Sequence, residues 1–284
     1  MILDCKKISG KKLSTAKKYV SKLAYKPALA IISVGNDAAS KVYVNNKKKA
    51  CEAVGIECKH FAYKETISQD YIITMIQKLN ANQEINGIIV QLPLPKWFDE
   101  HLIINSISPT KDVDCLTDVN LMALLNGNNF YPCTPKGVKS ILDYINVDPT
   151  GKTAVVIGRS KLAGQSIQIM LNNMNATTIL CHSKTQNLKQ LTQLADIVVS
   201  CVGEPNLIKK DMIKNDSIII DVGISRTSEG LKGDASPDVA NKAKVLTPVP
   251  GGVGVMTVAS LIENLLILAK QQEKASLVNI RRDK

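Results

Sequence analysis

The sequence of 284 residues is poor in histidine and has no Cys-x-x-Cys pair, and both shortages argue against a metal site. Its three histidines are widely separated, and its seven cysteines are odd in number and scattered over the chain. Structural and catalytic zinc sites need such ligands at short, regular spacings. We therefore expect no bound metal and read the cysteines as reduced thiols.

Aromatic residues and arginine are also scarce. Phe, Trp and Tyr together make up 4% of the residues, and the formal net charge of +11 comes mainly from lysine, with arginine only at positions 159, 226, 281 and 282. Nucleic-acid-binding proteins usually present aromatic stacking surfaces and arginines that read bases. We expect no nucleic-acid partner and interpret the excess charge as a solvated lysine surface that helps to attract small anions.

Long hydrophobic runs are missing as well. The most apolar stretch, 261–269, is interrupted by Glu263 and Asn264, and the N-terminal MILDCKK lacks the core of a signal peptide. A membrane-spanning helix needs about 20 apolar residues. The sequence therefore predicts a cytoplasmic protein without a membrane partner.

What the sequence does contain is an alternation of short apolar runs and amphipathic segments, which predicts an α/β fold, and a length sufficient for two domains. The predicted strands are 28–35, 56–63, 87–91, 153–157, 177–181, 196–202, 217–222 and 244–246. The predicted helices are 40–54, 69–79 after the N-cap Ser68, 98–104, 136–145, 164–174, 187–194 and 257–271. Thr134 is the predicted N-cap of the helix over 136–145, with Pro135 at its first position. The basic last dozen residues are expected to be frayed or peripheral.

The stretch GKTAVVIGRSKLAGQS, residues 151–166, reads as a strand, a tight loop and a helix. Such a loop lies outside the carboxyl end of a strand, where backbone N–H groups can approach a diphosphate. Its glycines, Gly158 and Gly164, are spaced Gly-x5-Gly and differ from the usual dinucleotide fingerprint. The loop alone therefore favours a nucleotide only moderately over an ordinary turn.

The end of the next strand bears on the choice of nucleotide. An Asp or Glu at this point selects NAD by binding the free ribose hydroxyl, but residues 181–185 read CHSKT. Ser183 together with Arg159 could instead hold the additional phosphate of NADP by charge-assisted hydrogen bonds. The alternative is a polar turn and a surface arginine.

Tyr43 and Lys47 stand four residues apart on a predicted helix, so both project from one face. The alternative is a half-buried tyrosine beside a solvated Lys47-Lys48-Lys49 face. A Tyr-x-x-x-Lys pair also occurs in short-chain dehydrogenases, but there it follows the glycine-rich loop, whereas here it precedes that loop. That class is disfavoured.

Taken in order along the chain, these motifs resemble the bifunctional methylenetetrahydrofolate dehydrogenase/methenyltetrahydrofolate cyclohydrolase family, and the resemblance covers nearly the whole sequence. The matching stretches are Val34-Gly35, Ser40-x-x-Tyr43-x-x-x-Lys47, GIIVQLPLP (87–95), KDVD (111–114), GRS (158–160), CHSKT, DVGI (221–224) and TPVPGGVG (247–254).

The resemblance implies a folate cleft between two α/β domains, NADP bound on a Rossmann-like parallel sheet, and a homodimer. It implies a folate-binding catalytic domain over 1–133, completed by the C-terminal helix of about 257–284, and an NADP domain over 134–256. The implied catalytic residues are Lys47, Tyr43, Gln91 and Asp114, with Asp114 holding the pterin. The implied cofactor residues are Gly158, Arg159, Ser160, Ser183 and Ile224. The implied substrate-binding residues are Tyr43, Lys47, Val90, Gln91, Leu92, Asp114, Pro250, Gly251 and Gly254.

Four positions beside these motifs depart from the family pattern, which usually has Gly at Cys115, Pro at Ser166 and Val255, and Asn at Ser225. Cys115 is expected to alter the loop that carries Asp114, and Val255 to loosen the turn near the nicotinamide. None of the four replaces an implied catalytic group.

The implied activity is NADP-dependent oxidation of 5,10-methylenetetrahydrofolate and hydrolysis of the methenyl product to 10-formyltetrahydrofolate, in the one-carbon metabolism that serves purine biosynthesis. Removing a hydride leaves a cation delocalised over two nitrogens, so this step needs no proton acceptor. Hydrolysis does, and Lys47 is the candidate base. The alternatives are another two-domain NADP-linked enzyme, such as a shikimate-dehydrogenase-like protein, and a catalytically silent ligand-binding or nucleic-acid-associated protein.

Overall fold

The computed structural model describes the backbone of residues 1–282 and the side chains of residues 1–275. The chain forms two compact units. The first unit comprises Met1–Gly10 and Leu124–Thr257, and the second comprises Lys11–Ala123 and the chain from Val258 onward. The division expected from the sequence grouped residues 1–10 and 124–133 with residues 11–123 instead.

The described part of the chain contains helices before, between and after the strands. They are α1 (Cys5–Val20), α2 (Ala38–Val54), α3 (Gln69–Ala81), α4 (Glu100–Asn105), α5 (Asp118–Leu125), α6 (Cys133–Tyr144), α7 (Ser166–Asn173), α8 (Leu188–Leu194) and α9 (Val253–Arg282).

The second unit contains a parallel sheet of three strands in the order β2-β1-β3. They are β1 (Ala28–Val34), β2 (Glu57–Tyr63) and β3 (Gly87–Val90). The central strand β1 is buried along almost its whole length, because apolar side chains from helices cover it, as in parallel α/β sheets generally. Asp37 and Ser68 accept backbone N–H groups at the starts of α2 and α3. The Ser68 cap confirms the sequence-based prediction.

The first unit contains a parallel sheet of five strands in the order β10-β7-β6-β4-β5. They are β4 (Thr153–Ile157), β5 (Thr177–Cys181), β6 (Ile197–Ser200), β7 (Ile218–Asp221) and β10 (Val245–Leu246). A short antiparallel hairpin, β8 (Ser225–Thr227) and β9 (Gly230–Lys232), follows β7. The chain leaves β4 toward β5 on one side and returns to β6 on the other, which creates a crevice at the carboxyl ends of the strands where such folds bind ligands.

Helix α1 was not predicted, because its lysines mask its periodicity. Its buried positions include Cys5, Ile8, Ala16 and Val20, which form a narrow apolar stripe in a helix rich in solvent-facing lysines.

The predicted start of α6 is wrong. The helix begins at Cys133 after Pro132, and the amide of Lys136 donates to the carbonyl oxygen of Pro132 over 2.9 Å. Thr134 is therefore not the cap, and its hydroxyl lies 3.5 Å from that of Thr257. Pro135 is tolerated at the third helical position because that amide would have no intrahelical acceptor.

The last helix is longer than predicted. It begins at Val253, inside the glycine-rich stretch, and continues to Arg282. The expected frayed end falls in large part on residues 276–284, whose side chains lie outside the described residues.

The stretch Val253–Ala275 has the length and mean hydropathy, 1.6, of a membrane-crossing helix, and 56% of its most apolar window is buried inside the protein. Its polar residues have partners in the second unit: Glu263 accepts from Lys12 Nζ over 2.7 Å, and Asn264 donates to the Val113 carbonyl over 3.0 Å. Core helices meet the same criteria, so the finding is weak support for a membrane span.

Candidate active site

Lys47 and Gln91 meet at the carboxyl edge of the second unit's sheet. Lys47 projects inward from α2 and is 8% exposed, and its Nζ donates to Gln91 Oε1 over 2.9 Å. Gln91 follows the buried strand residue Val90, and its Nε2 donates to the Leu92 carbonyl over 2.6 Å. That second bond orients the amide so that its oxygen faces the ammonium group. The structure therefore brings together Lys47, Val90, Gln91 and Leu92 and rules out a fully solvated lysine.

The start of α2 packs against the same segment. Ser40 Oγ donates to the Leu92 carbonyl over 3.4 Å, and the amide of Ser40 donates to the capping Asp37 over 2.7 Å. Tyr43 lies one turn before Lys47, is 36% exposed, and has its pKa raised by burial of its hydroxyl. A cavity of about 200 Å³ lies at this edge, with Ser33, Ser40, His60 and Gln91 in its lining.

Asp114 lies on a loop held firmly against β3. Ile88 and Asp112 form a parallel bridge, and the amide of Ile88 donates to the Lys111 carbonyl over 2.7 Å. Asp112 is 1% exposed and accepts from the Thr117 amide over 2.8 Å and from Asn120 Nδ2 over 2.9 Å. Burial raises its pKa, and these hydrogen bonds oppose the rise. Asp112 therefore stabilises the loop by accepting hydrogen bonds within it, whereas Asp114 is partly exposed.

Lys111 connects the same loop to the end of α3 by hydrogen bonds. Its ammonium group donates to the carbonyls of Leu79 over 3.0 Å and Asn82 over 2.6 Å, at the carboxyl end of α3. Cations stabilise helix C-termini in this way. Burial lowers the pKa of Lys111.

In the first unit, Gly158 ends β4 in a turn that only glycine accommodates. Its φ is +109°, and a Cβ atom there would lie 2.7 Å from the Cys201 carbonyl oxygen. A Cβ on Gly164 would lie 1.8 Å from the Gly158 carbonyl oxygen, so the following helical turn sits directly on the loop. The predicted helix over 164–174 is a π-helical turn, Lys161–Gln165, followed by α7.

Arg159, Ser160 and Ser183 are exposed at the same edge of the first unit's sheet. The amide of Gly158 donates to the Cys181 carbonyl over 2.9 Å, so the two turns leave neighbouring strands. The His182 amide donates to Thr185 Oγ1 over 2.8 Å, which shapes the turn that carries Ser183.

Ile224, Pro250, Gly251 and Gly254 also belong to the first unit. A Cβ atom on Gly254 would lie 3.9 Å from Ile224 Cδ1, so the start of α9 lies close to the loop after β7. Gly251 has a φ of +92° and lies near Lys6.

The four departures from the family pattern have distinct local roles. Cys115 is buried with a φ of +58°. Ser166 Oγ donates to the Lys161 carbonyl over 2.6 Å, Ser225 Oγ donates to the Gly203 carbonyl over 2.6 Å, and the Val255 carbonyl accepts from Ser9 Oγ over 3.1 Å.

Sequence reasoning overlooked two buried carboxylates of the first unit, Asp221 and Asp234. Burial raises the pKa of Asp221 to about 6. Burial, and then the charges of Asp234 and Asp221, raise the pKa of the Cys201 thiol to about 12. Asp221 entered the sequence analysis only as part of the DVGI motif. The Gly233-Asp234 pair after a short hairpin is the one sequence feature that could have pointed to Asp234.

These features define a class: a protein of two parallel α/β units, one of which has the glycine turn and strand-end crevice of a dinucleotide-binding sheet. Family models give the particular assignment. Residues 3–114 match the tetrahydrofolate dehydrogenase/cyclohydrolase catalytic domain, and residues 132–273 match the NAD(P)-binding domain of the same family. The chain belongs to the tetrahydrofolate dehydrogenase/cyclohydrolase family.

Individual relatives support the same family assignment. The bifunctional protein FolD of Campylobacter hominis is 46% identical over 279 residues, covering 96% of this chain and 98% of the relative. The FolD dehydrogenase/cyclohydrolase structure from Campylobacter jejuni is 40% identical with a TM-score of 0.93, covering 95% and 99% of the two chains. The Trypanosoma brucei FolD structure, solved with NADP cofactor and inhibitor, is 32% identical with a TM-score of 0.91, covering 95% and 97%.

The predictions of the family and of a two-domain α/β fold are therefore confirmed. The chain is a bifunctional enzyme, a dehydrogenase and cyclohydrolase of one-carbon folate metabolism. The shikimate-dehydrogenase-like and non-enzyme alternatives are set aside.

Proposed function

We propose that this enzyme divides its two reactions between the residue groups described above: Lys47, Tyr43, Gln91 and Asp114 act on the folate, and Gly158, Arg159, Ser160, Ser183 and Ile224 hold the cofactor. The single observation that carries the folate half is the buried Lys47–Gln91 hydrogen bond of 2.9 Å. Val90, Leu92, Pro250, Gly251 and Gly254 complete the substrate contacts. In domain terms, residues 1–133 with the C-terminal helix bind folate, and residues 134–256 bind NADP.

NADP is the cofactor, in keeping with the matched NAD(P)-binding domain and the NADP complex of the Trypanosoma brucei relative. The residues present fit it, because Gly158, with a φ of +109°, turns the chain at the end of β4 and leaves Arg159 and Ser160 exposed beside it, where polar groups can approach a diphosphate. When bound, NADP accepts a hydride. The finer proposal is selectivity over NAD, which rests on Arg159 and Ser183 and on the missing carboxylate after β5.

The main requirement of the oxidation step is correct positioning of the substrate against the cofactor. The methylene bridge loses a hydride and becomes a cation shared by two nitrogens, so no side chain has to remove a proton. Asp114 holds the pterin through its amino and ring N–H groups, since a carboxylate can accept both. Correct alignment of two reactants can lower the barrier by about 7 to 11 kcal/mol.

Hydrolysis of the methenyl cation requires proton transfer. Water adds to the one-carbon bridge and the C–N bond to the ring nitrogen breaks, so that one proton of the water ends on the released nitrogen and the other passes to solvent. Lys47 serves as the proton-transfer group, and Gln91 holds its Nζ at a fixed point through a bond that is itself oriented by Leu92. Tyr43 lies one turn away and helps to shield the site from bulk water.

One assay tests the overall function. The purified protein is incubated with 5,10-methylenetetrahydrofolate and NADP while NADPH and methenyl absorbance are followed. We expect NADPH to accumulate and the methenyl signal to remain low as hydrolysis proceeds. Absence of any change with NADP would contradict the proposal, and an equal rate with NAD would contradict the selectivity.

We further propose a cytoplasmic homodimer without nucleic-acid or membrane partners whose 10-formyltetrahydrofolate supplies purine biosynthesis. The resemblance to the family supports the dimer. Sedimentation equilibrium at micromolar concentration tests it, and a mass equal to that of one chain would contradict it.

A further inference from the structure

Asp234 is the anchor of the loop that follows β6. Its carboxylate is fully buried and accepts four hydrogen bonds: from Ser200 Oγ over 2.7 Å and from three consecutive amides, Val202, Gly203 and Glu204, over 2.8 to 2.9 Å. A buried carboxylate with this many donors holds the backbone that provides them.

Asp221 holds Asp234 in place. It is 3% exposed, and its carboxylate accepts from the amides of Gly223, Asp234 and Ala235 over 3.0, 3.1 and 2.8 Å. The two aspartates are packed against glycines in a crossed arrangement. A Cβ on Gly223 would lie 2.0 Å from Asp234 Oδ1, and one on Gly233 would lie 2.1 Å from Asp221 Oδ2.

The loop held by Asp234 lies between two groups of proposed cofactor residues. On one side, the Gly158 turn packs against the Cys201 carbonyl oxygen. On the other, Ser225 Oγ donates to the Gly203 carbonyl over 2.6 Å, and the Ile224 carbonyl lies next to Gly203. The carboxylate itself is sealed beneath the loop, so it acts on the cofactor only through the backbone it holds.

We propose that Asp234, secured by Asp221, is a positioning residue for NADP: it fixes residues 202–204 as the wall between the Gly158 turn and Ile224. This inference rests on the proposed function, because it presumes that the dinucleotide occupies this edge of the sheet. The loop after β6 thereby takes part in cofactor binding, in addition to the Gly158 turn and the residues proposed to contact the phosphate.

The test is Asp234→Asn, which preserves size but replaces one accepting oxygen by a donor facing the loop amides. We expect the NADP Kd, measured by calorimetry, to rise about tenfold or more. Cyclohydrolase activity, assayed on methenyltetrahydrofolate without NADP, should stay within about twofold of the wild type, because Lys47 and Gln91 lie in the other unit. The matched control is Asp211→Asn, an exposed aspartate of the same unit paired with Lys189, which should leave the NADP Kd unchanged.

A milder variant, Ser200→Ala, removes one donor and keeps the carboxylate with its three amides. It should raise the NADP Kd about two- to tenfold, and it decides the matter if Asp234→Asn does not fold. Wild-type NADP affinity in Ser200→Ala and in folded Asp234→Asn would overturn the inference, as would a parallel loss of cyclohydrolase activity, which indicates a general structural role. Failure of the wild-type enzyme to bind NADP would instead overturn the proposed function.

Discussion

Lys47 Nζ lies 2.9 Å from Gln91 Oε1, although the two residues come from a helix and a strand end 44 positions apart. The bond holds a lysine that is largely removed from solvent at the edge of the sheet. The Gln91 amide therefore fixes the position of the Lys47 amine at this edge.

Replacement of Lys47 should separate the two activities. Lys47→Gln retains a hydrogen-bonding group but cannot transfer a proton, so we expect cyclohydrolase activity to fall by roughly 100- to 10,000-fold. Dehydrogenase activity should fall much less, and methenyltetrahydrofolate should accumulate with NADPH. Each activity is measured separately, and a near-native melting temperature confirms that the change is local. Hydrolysis near the wild-type rate would show that Lys47 only positions the substrate.

Asp114 and Asp112 should differ sharply when each is changed to asparagine. Asp114→Asn replaces one acceptor by a donor, so the folate KM should rise by about tenfold or more while NADP affinity is retained. Asp112→Asn is the control, since one amide oxygen can still accept from both Thr117 and Asn120. Steady-state kinetics with folate as the varied substrate make the comparison. A raised KM in Asp112→Asn alone would move the assignment to Asp112.

Arg159 should discriminate between the two nicotinamide cofactors. Loss of a charge-assisted bond to the additional phosphate costs about 1.5 to 3 kcal/mol, so Arg159→Ala should weaken NADP about ten- to hundredfold and scarcely affect NAD. Arg226→Ala, an exposed arginine on β8 of the same unit, is the control. Equal losses for NADP and NAD would exclude a phosphate contact.

The backbone at Cys115 should tolerate glycine and reject a β-branched residue. Its φ of +58° lies in the left-handed region, where such side chains are strongly disfavoured. We expect Cys115→Val to lower the free energy of unfolding by about 2 kcal/mol and Cys115→Gly to change it by less than about 1 kcal/mol. Denaturant titration measures both variants. Equal stabilities would mean that the loop relaxes to a different conformation.

Asp221 should make stability depend on pH between about 4 and 6. Its pKa rises from the usual 3.8 to about 6 in the folded protein, so the native state binds this proton more tightly than the unfolded chain. The stabilisation is present below pH 4 and is lost as the pH rises through 6, a change on the order of 2 to 3 kcal/mol.

Comparison with Asp221→Asn isolates this contribution from those of the other carboxylates. The free energy of unfolding of the wild type minus that of the variant should decrease by this amount from pH 4 to pH 7. The nearest other charge is that of Asp234, which is present in both proteins. A difference that does not vary with pH would show that Asp221 keeps an ordinary pKa.

Much of the fold could be predicted because strands and helices depend on neighbours in the sequence. Short apolar runs located β1 and β4 closely, and the helical segment that follows Ser68 located this residue as a cap. The motifs singled out Lys47, Gln91, Asp114 and the Gly158 turn in the same local manner, and the functional roles assigned to them remain predictions. The assignments of Arg159 and Ser183 to a phosphate, and of Ile224 and Gly254 to bound molecules, remain predictions.

Tertiary structure decided what depends on residues far apart in the chain. The run of three consecutive lysines did not predict that Lys47 is buried. Its burial depends on a hydrogen-bond partner, Gln91, that lies far away in the sequence. Helix α1 was hidden for a similar reason, since its buried stripe is narrow and its lysines dominate the composition. Asp234 had no local signal for its four donors, because they lie at and just after the end of β6, at least 30 positions earlier in the chain. Sequence patterns therefore determined most of the elements, and the resemblance of the motifs to the family determined the reaction class. Long-range packing determined which polar groups are buried and which backbone they hold.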